Sequence, residues 1–278
     1  FPILTLEPCS HHGKTPPCAD LLVNSKVKKV WIGNTDPNPL VNGEGIRKLQ
    51  AAGIEVECGL LDQMGKDINK RFFTFINQKR PYIILKWAET ADGFIARSNF
   101  DSKWISNAYS RQLVHQWRAQ EDAIMVGTNT ALYDDPKLNV RDWTGKDPMR
   151  IVVDRQLRLP KKLQLFSDGI PTICFNNTKN GQQGAVQYIK TEQTQSLPFM
   201  LDVLHQKNVQ SLIVEGGSGL LNSFLAQDLW DEIRCFRSGT TFGEGIASPM
   251  LQNGRLLTKP HSELDVQGDK LITIMNNR

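Results

Sequence analysis

The sequence predicts an α/β protein built as two successive units. Strand-like apolar runs alternate with helical stretches of amphipathic spacing along most of the chain. A polar segment bearing a proline, Asn77 to Pro81 (NQKRP), interrupts that alternation and marks a boundary. A length of 278 residues is that of about two domains. The units expected are residues 1–78 and 79–278.

In the first unit Phe1–Leu6 (FPILTL) reads as a strand. So apolar a run is typical of the middle of a sheet, so the chain is expected to begin inside a domain. A loop carrying Cys9 and Cys18 follows, and Cys18–Asn24 opens a helix. Val27–Gly33 is a strand and Asp36–Pro39 (DPNP) a turn. Glu44–Ala52 is a short helix, stopped by Gly53 where a left-handed cap is wanted. Ile54–Leu61 is the next strand, and Met64, Ile68, Phe72 and Phe75 give Asp62–Ile76 helical spacing.

In the second unit the expected strands are Tyr82–Lys86, Ala123–Gly127, Arg150–Asp154, Thr172–Phe175, Ser211–Glu215, Glu232–Arg237 and Leu271–Met275. Helices are expected over Ala108–Gln120, Pro198–Lys207 and Gly219–Gln227. Asn176–Gln195, rich in Asn, Gln, Thr and Gly, is expected to be loop with one short strand.

A net charge of +4 suits small anionic ligands but is too weak and scattered for nucleic acid. Lys26, Lys28 and Lys29, and the Lys161–Lys162 pair, read as solvated faces. No apolar run approaches the roughly 20 residues that span a membrane, and no secretory pattern opens the chain. Five thinly spread cysteines argue against a disulfide framework and for a cytoplasmic compartment.

Two stretches carry chemistry. Thr5 to Cys18 reads TLEPCSHHGKTPPC. Two thiolates on a loop that opens a helix suit zinc, although a cysteine pair at this spacing taken alone reads better as buried thiols. Zinc deaminases add a third protein ligand, a water in the fourth position and a glutamate that shuttles protons. The second stretch is the apolar strand Ser211–Val214, which ends in Glu215-Gly216-Gly217-Ser218-Gly219 and enters an apolar helix. Glycines at such a turn let a phosphate approach backbone amides at a helix start, or simply make a tight turn. The pattern is not G-x-G-x-x-G, so a Rossmann site is not indicated.

The run PCSHHGKTPPC closely resembles the deaminase half of the bifunctional riboflavin-biosynthesis deaminase/reductase family. The likeness continues in family order through Lys86-Trp87-Ala88, Thr90-Ala91-Asp92-Gly93, Ser102-Lys103-Trp104-Ile105-Ser106 and Arg118-Ala119. It goes on through Val126 to Thr130 (VGTNT), Asp134-Asp135-Pro136, Leu138 to Arg141 (LNVR) and Val214 to Ser218 (VEGGS). The resemblance implies part of a cytidine-deaminase-like domain followed by a dihydrofolate-reductase-like domain that uses NADPH.

By the same resemblance, Cys9 and Cys18 are metal ligands, and the third ligand is an upstream His in a His-Ala-Glu motif. That motif is absent before Cys9, so His11 and His12 are expected to touch substrate and the deaminase half to be inactive. The resemblance also sets Ala88, Trp104, Thr130, Asp134, Gly217, Ser218, Gly219, Leu220, Leu221, Asn222 and Ser223 around NADPH. Arg155 is expected near the adenosine phosphate. Ser102, Arg118, Leu138 and Arg141 are expected at the ribose-phosphate end of the substrate, with Glu215.

The implied reaction reduces the ribosyl group of 5-amino-6-(5-phosphoribosylamino)uracil to a ribityl chain. Glu215 is the expected carboxylate for a cationic imine, Lys86 the candidate for proton transfer or substrate orientation, and Asp134 a positioning group. The residues alone also suit plainer roles: surface ion pairing for Arg118 and Arg141, core packing for Trp104, structural ion pairing among Lys86, Asp134 and Glu215. A non-catalytic remnant and a reductase for another pteridine-like substrate are the alternative functions. The intact set of polar residues speaks against the first, and the arginine pair and cysteine loop against the second. The family resemblance implies a homo-oligomer.

Overall fold

The computed structural model describes residues 1–13, 15–102, 105–192, 196–249 and 261–276. They form two compact units, Phe1–Arg80 and Pro81–Arg278.

The first unit has a three-stranded parallel sheet in the order β1 (Ile3–Leu6), β2 (Lys29–Asn34), β3 (Glu55–Cys58). Its helices are α1 (Cys18–Asn24), α2 (Glu44–Ala51), α3 (Asp62–Ile68) and α4 (Lys70–Gln78). Ala19, Val30, Ile32, Leu49 and Ile54 make its core. Among the described residues β1 pairs with β2 alone, and Ile3 is exposed.

The single helix expected over 62–76 is two helices. At Asn69 the backbone leaves helical geometry (φ −94°, ψ 11°), and its Nδ2 donates to the carbonyl of Gly65 at 2.9 Å. Glu7 shows how the loop after β1 is held. This buried carboxylate accepts the backbone N–H of Asp36, Gly43, Gly45 and Ile46, so it caps the start of α2, which has no side-chain cap from its own N-cap residue, Gly43.

The second unit is built on a ten-stranded sheet. Its strands in chain order are β4 (Tyr82–Glu89), β6 (Ala123–Gly127), β7 (Met149–Val153), β8 (Thr172–Asn176), β9 (Gly181–Gln183), β10 (Val186–Lys190), β11 (Ser211–Val214), β12 (Glu232–Arg237), β14 (His261–Val266) and β15 (Asp269–Met275). A separate pair joins β5 (Phe94–Ala96) to β13 (Ile246–Ala247). The helices are α5 (Ala108–Gln120), α6 (Thr128–Asp134), α7 (Gln164–Ser167), α8 (Ser196–Gln206) and α9 (Ser218–Ala226).

The order across the sheet is β14-β15-β12-β4-β11-β6-β7-β8-β10-β9. From β12 to β10 neighbours run parallel, and β11 is inserted between β4 and β6. The central strands are buried on both faces, which explains their unbroken apolar runs. Alternation divides β4: Ile83, Leu85 and Trp87 pack toward α8 and α9, while Tyr82 and Ile84 share a core with Val114 and Trp117 of α5. β5, β9, β13 and β14 escape the sequence reading because they are short or largely exposed and polar, so nothing imposes an apolar period on them.

Candidate active site

The carboxyl ends of β4, β11 and β6 lie side by side, and a cavity of about 600 Å³ opens there. β4 brings Lys86 and Ala88 to its wall, Glu215 directly follows β11, and α5 brings Arg118.

These side chains form one cluster. Arg118 donates to Glu215 through Nε and Nη2, each at 2.9 Å, in a two-pronged pair that is almost buried. Arg118 Nη1 donates to the carbonyl of Asn139 at 3.3 Å. Lys86 Nζ lies 3.5 Å from Glu215 Oε2. Burial pushes the Glu215 carboxyl up, but the charges of Arg118 and Lys86 outweigh it and hold the group down at about 2. Burial opposes the charge on Arg118 in turn, and Glu215 overcomes it, so the guanidinium is held more firmly protonated than usual.

The rest of the wall is built by turns. Ser102 Oγ donates to Asp134 Oδ1 at 3.0 Å, which joins an expected substrate residue to an expected cofactor residue. α9 starts at Gly217 without a side-chain cap, and Gly216, Gly217, Ser218, Gly219 and Leu220 all face the cavity. Gly217 has φ −65°, which any residue adopts, and a Cβ there would stand 3.4 Å from Thr130 Oγ1. Glycine at this position supplies room, not a left-handed turn. A smaller recess of about 340 Å³ adjoins, lined by Arg118, Asp134, Lys137, Leu138 and Arg141 among others. Leu138 is buried at φ 54°.

Most expected site residues converge on these two hollows: Lys86, Ala88, Ser102, Arg118, Thr130, Asp134, Leu138, Arg141, Glu215 and Gly217 to Leu220. Four do not line them. Leu221 is fully buried in the core, because it turns inward one residue beyond the first turn of α9. Asn222 and Ser223 bond back along the helix to Ser218 Oγ and the Gly219 carbonyl. Arg155 lies outside the wall; the chain turns through Leu157 (φ 54°) and brings Arg158 to the cavity in its place. Trp104 lies outside the described residues.

Several wall residues carry no family motif: His115, Phe100 and Tyr133, the last two stacked with ring centroids 4.3 Å apart. His115 sits one helical turn before Arg118, which is the signal that points to it.

The donor sets differ in their fit to the two groups that the sequence implies. The open glycine turn at an uncapped helix start, beside a cavity of about 600 Å³, fits a phosphate-bearing nicotinamide cofactor. Zinc does not fit. Cys9 and Cys18 do adjoin, with the Cys18 N–H donating to Cys9 Sγ at 3.4 Å, and burial and Cys9 raise the Cys18 thiol. Among the described residues, however, no three His, Cys, Asp or Glu side chains gather as a metal site would require. His11 and His12 are exposed.

Comparison with known proteins gives concordant findings. The family model of the RibD C-terminal domain matches residues 81–274. Riboflavin biosynthesis protein RibD of Aquifex aeolicus is 39% identical over 253 residues, covering 88% of this chain and 70% of that protein. The protein of the same name from Actinobacillus pleuropneumoniae is 43% identical over 244 residues, covering 84% and 65%. A crystal structure of a diaminohydroxyphosphoribosylaminopyrimidine deaminase/5-amino-6-(5-phosphoribosylamino)uracil reductase from Thermotoga maritima superposes with a TM-score of 0.85 at 35% identity, covering 98% of this chain and 78% of that one. The α/β class expected of the second unit holds.

Proposed function

The chain belongs to the RibD C-terminal domain family, and from that premise we propose that it is the NADPH-dependent reductase of riboflavin biosynthesis, converting 5-amino-6-(5-phosphoribosylamino)uracil to its ribityl product. One observation carries the reading to this molecule: the Lys86–Glu215–Arg118 cluster and the uncapped start of α9 open into the same cavity.

Ala88, Thr130, Asp134 and the segment Gly217 to Leu220 are the residues that would hold the cofactor, its phosphates toward the first turn of α9. When bound, the reduced nicotinamide supplies the hydride. The protein's part is orientation and charge. Opening of the ribosyl ring gives an imine at C1′, with the proton going to the released ring oxygen; reduction adds a hydride at C1′ and a proton at nitrogen. Glu215, fixed as an anion by Arg118, stabilises positive charge at C1′ more than the uncharged ground state. Lys86 is the ammonium nearest to it and the group assigned to proton transfer.

The phosphate end is assigned to the smaller recess. The Nε/Nη2 edge of Arg118 is taken up by Glu215 and its Nη1 donates to the Asn139 carbonyl, so the further cations lining that recess, Arg141 and Lys137, are the ones assigned to a phosphate there. The Phe1–Arg80 unit is assigned to the family's deaminase domain on Pro8 to Cys18 alone, and no zinc-dependent step is assigned to it.

The test is purified protein with NADPH and the phosphoribosylaminouracil, followed by the loss of NADPH absorbance. Stoichiometric oxidation with formation of the ribityl product is the expected result, and absence of turnover overturns the reading.

A further inference from the structure

His115 is the buried titratable group that this mechanism leaves unused. It is 2% exposed and stands on α5 one turn before Arg118. Both ring nitrogens have partners on the loop that follows Leu138. Nδ1 accepts the backbone N–H of Arg141 at 3.4 Å, and Nε2 lies 3.3 Å from Asp142 Oδ2. A single neutral tautomer, protonated on Nε2, satisfies both contacts. The Asp142 carboxylate also lies 3.9 Å from Arg141 Nε, so it links the imidazole to the guanidinium.

The surroundings favour that neutral form. The charged groups around the ring are Arg118 on the same helix, Arg141 and Asp142 on the loop, and Glu215 at the end of β11. Burial first, then Arg118 and Arg141, hold the imidazole below its ordinary value against the opposing pull of Asp142 and Glu215. Nδ1 therefore keeps the lone pair that the Arg141 amide needs at neutral pH.

We propose that His115 is a positioning residue: it fixes Arg141, through the Arg141 amide and through Asp142, at the height on the recess wall where the substrate's phosphate is held. This rests on the assignment of the recess to a ribose phosphate. Arg141 is half exposed on a loop, and a long cation at such a site loses much of its affinity unless its backbone is pinned. Asp147 pins the neighbouring residue by accepting the Val140 N–H at 2.7 Å, and His115 does the same for Arg141 from the helix side.

The test compares His115→Leu, which removes both contacts, with His115→Asn, whose Oδ1 stands where Nδ1 does and can accept the Arg141 amide. Full-length variants are first checked for unchanged circular dichroism. For His115→Leu the expected result is a KM for the phosphoribosylaminouracil raised about tenfold with kcat within about twofold, the pattern of lost binding that is equal in ground and transition states. His115→Asn is expected to restore KM to within about threefold of wild type. Equal falls in kcat and KM, an unchanged KM, or an Asn variant no better than Leu overturns the inference while leaving the reductase reading intact.

Calorimetric titration with ribose 5-phosphate separates the two readings. If wild type binds it but shows no turnover, the reductase reading fails and the same Leu-to-Asn ordering is read on Kd. If wild type neither binds it nor turns over, both fall.

Discussion

Glu215 is the residue on which charge, stability and chemistry meet. Its carboxyl is held at about 2, below its unfolded value, so it adds stability that is fully present above about pH 4.5 and is lost as the pH falls from there toward 2. The size at neutral pH is about 3 kcal/mol. Glu215→Gln strands the nearly buried Arg118 without its anion. The variant should lose about 2–3 kcal/mol in urea unfolding at pH 7 and about 10²-fold or more in kcat. The stability gap to wild type should close as the pH falls from 4.5 to 2; a gap that stays constant would show that the carboxylate is not the source. Lys86, Arg118 and Glu215 were each legible as chemistry-bearing residues. Pairing of Lys86 with Glu215 was one of the readings the residues left open; the two-pronged pair of Arg118 with Glu215 was not legible, and it makes Arg118 the anchor of the carboxylate.

At the scale of elements, two loop-to-helix junctions carry most of the consequence. Glu7 satisfies four backbone N–H groups around the start of α2. Glu7→Ala should cost about 2–3 kcal/mol in thermal or urea unfolding of the first unit, since it strips a buried cap and leaves donors unmet. The start of α9 is the opposite case, a helix end left open. Gly217→Val can keep its backbone angles but fills the approach beside Thr130, so it should raise the Kd for NADPH about tenfold by fluorescence titration, with the melting temperature changed by only a few degrees. Long apolar strands and amphipathic helices were readable from spacing, because burial imposes a period on them. The break at Asn69 was not, since one side-chain amide reaching the Gly65 carbonyl has no periodic signature. The edge strands β9 and β14 were missed for a related reason: exposed residues are under no apolar constraint.

At the scale of the whole molecule, the cavity and its charged cluster lie in the second unit. Among the described residues the first unit supplies two adjoining thiols and no third ligand. Dialysis against a chelator should therefore leave NADPH oxidation unchanged, and metal analysis should find no stoichiometric, tightly held zinc; a loss of activity on chelation would reverse that expectation. No helix among the described residues is long and apolar enough to cross a membrane. The sequence by itself determined the α/β class, the order of the main elements and the family, because each is written in local spacing and in short motifs. Tertiary structure alone decided which of those motifs meet. β11, late in the chain, inserts between β4 and β6, and this brings Glu215 to Arg118, 97 residues earlier. It also decided that Arg158 and not Arg155 faces the cavity, and that His115 touches the Arg141 loop. Such contacts depend on strand order and on the direction in which a turn leaves its strand, and neither leaves a period in the residues that make it.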